Sequence, residues 1–220
     1  MAENEEQERE AAARKSRSEE ILRGAGVGIN EWLPTIETKD EITFREPIDI
    51  ARRAVCLLLV AGRASGLEAE IVSGLIEDYG VDEFFTPLER AFLASDSPQR
   101  EDLVQFSWRS EACWVLLWAL GLVSELDLPY EQISPGDAIG IVADTPIEAL
   151  VERSSLRWKD EILDAADLIY RCHWYVRQLG LDGREEEIVF SPGVTMERHQ
   201  ALNWLIGYDE SEWDDVSTDT

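Results

Sequence analysis

A chain of 220 residues with 45% hydrophobic content and eight tryptophans carries too much apolar mass for a disordered acidic polymer. It is long enough to bury about 70% of its unfolded surface around one core without covalent staples. Lys+Arg 20 against Asp+Glu 46 leaves a net charge of −26. Such a surface repels phosphate backbones and anionic lipid, so direct nucleic-acid or membrane-surface binding is not expected and a basic protein partner is.

The first stretch, residues 1–24, is rich in Glu, Arg and Ala and reads as a solvated N-terminal helix or arm. Gly24, Gly26 and Gly28 stop it, and residues 25–47 read as an ordered arm over the core. Residues 48–220 form the helical domain. Within it, residues 48–61 predict a buried helix with Arg52 and Arg53 near its start, and residues 67–79 a second helix stopped by Gly80. Thr86-Pro87-Leu88-Glu89 pairs a capping hydroxyl with proline at the first helical position and opens a short helix. The longest helix follows Pro98 and runs to about residue 123. Residues 126–143, with Pro129, Pro135, Gly136 and Gly140, read as a loop that holds a short strand at 139–142. Further helices are predicted at 146–153, 156–179 and 195–206, with a second short strand at 188–190. The fold class is all-α, a single-domain helical bundle with at most a minor β-ribbon.

Winding these helices at about 100° per residue places four charged or titratable groups on apolar faces. Glu111 falls among Val104, Trp114, Trp118 and Leu122, where a bare carboxylate would cost several kcal/mol. His173 lies in the apolar arc of helix 156–179 with Arg177 one turn on, while Arg171 lies on the opposite, polar face. Arg198 sits in the stripe of Val194, Ala201, Leu202 and Leu205, and His199 and Asn203 share a flank at i, i+4 spacing. Convergence of Glu111, His173, Arg177 and Arg198 on one polar site is expected, either as an ion-pair network that fixes helix register or as a lined cleft.

The common catalytic signatures are absent. Gly24, Gly26 and Gly28 miss the third position of GxGxxG, and the segment Gly62 to Gly66 has Ala64 where a nucleophile elbow needs serine. Cys172 and His173 point about 100° apart and cannot pair with each other. Cys56, Cys113 and Cys172 lie in apolar helical text, as buried reduced thiols do, and with no apolar leader a cytoplasmic setting is expected. Two histidines are too few for an imidazole-built zinc site. The acidic ending with Asp214 and Asp215 is the alternative: with His199 it would suit Mg²⁺ or Mn²⁺, with Arg198 on an anionic substrate and Glu111 as general base, a metal-dependent hydrolase. The first reading needs no cofactor.

The text Trp108-Arg109 with Glu111-Ala112, Leu116-Leu117-Trp118-Ala119-Leu120-Gly121, Tyr170-Arg171 with His173-Trp174, Glu197-Arg198-His199 with Ala201-Leu202-Asn203-Trp204-Leu205, and the ending Trp213-Asp214-Asp215-Val216 resembles a bacterial family known only as a domain of unknown function. The resemblance is good from about residue 86 onward. It implies a mostly helical domain and an ordered C-terminal segment with Asp214 and Asp215 docked near Arg198, His199 or Arg171, and it brings no activity. The expected role is a binding or protein-interaction module, of the inhibitor or immunity type.

Overall fold

The computed structural model describes residues 2–220, with side chains from residue 5 onward. Its central layer begins with α2 (Pro47–Ala64), whose proline sits at the first turn and whose Ala54, Val55, Cys56, Leu57 and Val60 are all buried. α2 packs on α6 (Arg109–Ala119), α6 on α10 (Pro192–Leu205), α10 on α9 (Lys159–Leu181) and α9 on α1 (Ala2–Gly24). α6 is enclosed on nearly every side, so Val115, Leu116 and Leu117 are inaccessible to solvent. Each such leucine contributes about 1.5–3 kcal/mol of burial.

Shorter helices surround this stack: α3 (Ala69–Tyr79), α4 (Pro87–Leu93), α5 (Arg100–Ser107), α7 (Pro135–Val142) and α8 (Ile147–Arg153). α4 starts at the predicted box, where Thr86 Oγ1 accepts from Glu89 N and Glu89 Oε2 accepts from Thr86 N. The single long helix expected after Pro98 is two, α5 and α6, joined at Trp108. There the backbone tightens, Trp108 N donating to Gln105 O, and the indole lies against Gly193 of α10. A Cβ at Gly193 would stand 2.9 Å from the Trp108 ring, so the close approach needs glycine.

Among the described residues there is no strand, which corrects both predicted ribbon segments. Residues 139–142 belong to α7, where Pro135 starts the helix and Ala138 and Val142, four apart, are buried together. Period two would have put Ile139 and Ile141 on one face, yet Ile139 is 48% exposed. Residues 188–190 follow a 3-10 turn and run irregularly, with Phe190 buried between Tyr130 and Tyr175.

The N-terminal helix is not solvated along its length. Ala11, Arg14, Ser18 and Leu22 form a buried stripe against α9, and Arg14 Nη1 donates to Glu37 O in the following arm. The stripe escaped sequence reading because it is short on hydrophobes; burial of Arg14 depresses its pKa, a cost that Asp167 and Asp164 nearby offset. No helix among the described residues is long and apolar enough to cross a membrane.

Candidate functional site

The α6–α10 interface is crossed by two buried ion pairs of opposite direction. Arg198 Nε donates to Glu111 Oε2 at 3.0 Å, and Arg198 Nη1 donates to Asp127 O at 2.6 Å. The other Glu111 oxygen accepts from Ile133 N. Beside this pair, Arg109 Nη1 donates to Glu197 at 3.1 and 3.2 Å and to Gln200 Oε1 at 2.7 Å. Each helix thus supplies one acid and one base, and all four side chains are buried. Burial pushes the Glu197 carboxyl up, Arg109 opposes it, and the Glu111 charge adds to the rise.

His173 and His199 meet at Nδ1 to Nδ1, 2.9 Å apart. The Asn203 amide donates to Ser217 O at 2.8 Å and contacts His199 Nε2 at 3.2 Å. A single NH₂ group therefore faces both, which makes His199 Nε2 an acceptor and puts its proton on Nδ1. His173 Nδ1 then accepts, and its own proton lies on Nε2. Both rings are neutral: burial, with Arg177 nearby, pushes His173 down to about 4, and burial, with His173 and then Arg177, pushes His199 down to about 3. Arg177 itself is exposed and joins no ion pair among the described residues, so the predicted four-residue convergence resolves into the Glu111–Arg198 pair and a separate imidazole pair.

Arg171, assigned to a solvated face, is buried. It grips Asp167 with two hydrogen bonds of 2.8 Å and donates to Pro34 O, because α1 and the arm cover this face of α9.

The C-terminal segment is docked, with Ser217 O on the Asn203 amide beside His199, but Asp214 and Asp215 make no contact with Arg198, His199 or Arg171 among the described residues. Trp213 is buried between the guanidinium groups of Arg53 and Arg109, at 5.2 and 5.9 Å from its ring, and its carbonyl accepts from Gln200 Nε2. Asp214 Oδ2 accepts from Leu88 N at the start of α4, and Asp215 is exposed. His199 Nε2 is taken by Asn203, so His199 does not join the two aspartates. Among the described residues no group of three or more His, Cys, Asp or Glu is placed to hold a metal ion. The three thiols are buried and free, each pushed up to about 12 by desolvation.

Sequence reasoning missed Arg53, which binds Glu89 through both carboxylate oxygens at 2.6 and 2.8 Å. Arg53 stands three residues after buried Ile50 and four before buried Leu57, and that spacing was the available signal. Glu89 was recognised only as a capping residue.

These contacts form one wall of a cleft of about 800 Å³ between α2, the start of α4 and the C-terminal segment. On its walls Arg45 donates to Trp204 O and Ser211 O and stacks 5.0 Å over the Trp204 ring. Arg52 lies 4.4 Å over Phe84 and reaches Asp49 at 3.4 Å. Each arginine of the cleft thus has a hydrogen-bond partner, a carboxylate for Arg52 and Arg53 and carbonyl oxygens for Arg45. Glu83, Glu212 and Asp215 also line it, are exposed, and join no ion pair among the described residues. The cleft combines aromatic walls with an acidic lip.

A family model described as a domain of unknown function, DUF4272, matches residues 14–216. No curated protein and no solved structure matches the chain.

Proposed function

The chain belongs to the DUF4272 family, and because that membership brings no activity with it, we propose from the side-chain geometry that the protein is a binding module that takes a basic segment of another protein into the acid-lipped cleft. The observation that carries this reading is the contrast around the cleft. Arg45, Arg52 and Arg53 are engaged by carbonyls or carboxylates, whereas Glu83, Glu212 and Asp215 stand free. A cation entering there meets three carboxylates in no ion pair, against one arginine, Arg45, whose charge is held by carbonyl oxygens alone. The net charge of −26 adds long-range steering toward basic partners. In the core Glu111, Glu197 and both imidazoles are occupied by one another or by arginine, which weighs against the base and metal-ligand roles of Glu111 and His199 in a hydrolase.

The test is fluorescence anisotropy of a labelled arginine- and lysine-rich peptide, titrated at two salt concentrations. Glu83→Gln, Glu212→Gln and Asp215→Asn combined should weaken binding about tenfold or more. The control removes the same amount of charge at the exposed Glu101, Glu148 and Glu152. Equal loss in both triple variants would mean that net charge alone, not the cleft, attracts the peptide.

A further inference from the structure

On the other side of α2 lies a groove of about 410 Å³, walled by α2, α3 and α7, that shares no lining residue with the acidic cleft. α3 explains why it stays open. Its sequence is apolar enough to be a core helix, yet only Val72 is buried, while Ile71 is 48% exposed and Leu75 faces the groove. Leu58 and Leu59 of α2 form the floor and Ile139 of α7 the far wall. Tyr79 Oη donates to Val142 O at 2.9 Å and ties α3 to α7 at one end. Volume and lining match those of preformed small-molecule sites rather than a packing defect.

The charges at the mouth decide what enters. Asp78 and Asp144 are the charged residues of the lining; both are exposed and neither joins an ion pair among the described residues. Their charges converge on Tyr79, whose pKa is raised by burial and further by both acids. No lysine or arginine lines the groove. Asp144 moreover holds a left-handed backbone, φ 56°, in the turn after α7, a conformation that presents the carboxylate at the lip at some cost in strain.

We infer that this groove is a binding site for a cationic amphiphile, with an alkyl chain lying between α3 and α7 on α2 and an ammonium group held by Asp78 and Asp144. The inference is independent of the peptide-binding role of the cleft. The experiment is isothermal titration of the whole chain with dodecylammonium chloride below its micellar concentration, alongside dodecanoate and dodecyl maltoside. One saturable site for the amine, with no comparable binding of the other two, is the expected result. Asp78→Asn with Asp144→Asn should weaken the amine about fivefold to tenfold, asparagine being able to keep the left-handed turn. Ile139→Lys, at a position already half exposed, should abolish binding by setting a positive charge in the wall. The cleft variant lacking Glu83, Glu212 and Asp215 should bind the amine as the unmodified chain does, which separates this site from the first. Equal affinity for all three amphiphiles, or amine binding unaltered in both groove variants, would overturn the assignment.

Discussion

Replacing Arg109 by methionine tests the seam between α6 and α10 most sharply. The side chain is 7% exposed, and its loss strands Glu197, which is inaccessible to solvent and keeps no other cation within hydrogen-bond reach among the described residues. Breaking one partner out of a buried pair costs about 3–5 kcal/mol. Gln200 and Trp213 lose a hydrogen bond and a cation–π contact as well. Domains hold together by only about 5–15 kcal/mol, so the variant should sit near the edge of stability. With a urea slope of about 3 kcal/mol per molar, the midpoint should fall by about 1–1.7 M, read from tryptophan fluorescence. The effect has a pH signature. Glu197 already has a raised pKa in the folded chain, and removing Arg109 raises it further. A group with a raised folded pKa stabilises below its unfolded value and loses that contribution as pH rises through the folded one. The gap between variant and parent should therefore shrink from pH 7 toward pH 5. Adding Glu197→Met should restore most of the loss, since a buried apolar pair needs no compensation. A gap below about 1 kcal/mol at pH 7, or one that widens on acidification, would refute the account.

The imidazole pair predicts the opposite slope. His173 and His199 are held neutral, at about 4 and about 3 against an ordinary 6.5, so the stability they contribute is complete above pH 6.5 and is lost as pH falls toward those values. Between pH 6.5 and 5 the loss should be about 2 kcal/mol per ring, and thermal melts of His173→Gln with His199→Gln should be flatter over that window. Gly207→Ala should also destabilise the chain. Gly207 has φ 67°, and a Cβ there would overlap the carbonyl of Thr43. A melting temperature within a degree of the parent's would contradict that packing.

The sequence was most informative where a charge broke an apolar stripe. Glu111 and Arg198 were singled out on two separate helices for that reason, and they meet. Thr86 and Glu89 were legible because a capping box is local. The missing information is nonlocal. Asp167 and Arg171, at i, i+4, have the spacing of a solvent-exposed helix pair, and nothing within α9 signals that α1 will cover them. Arg109 and Glu197 lie 88 residues apart, each on a helix whose other charged residue drew attention first. The C-terminal aspartates lie in an ordered segment, yet the landing point of Asp214 at α4 depends on Trp213 finding the space between Arg53 and Arg109.

The reciprocal pairs across α6 and α10 also bear on how the molecule opens. A helix that docks through hydrophobes alone can peel away a turn at a time, exposing area gradually. α10 cannot: Glu197 and Arg198 are adjacent, so lifting one separates both pairs and leaves four buried charges to be rehydrated together. Partial detachment is the costly state, and this seam should release only with global unfolding. α3, which has a single buried residue, carries no such lock and should exchange its amide protons far sooner. The molecule thus joins an all-or-none centre to a yielding edge, and the yielding edge is the wall of the apolar groove.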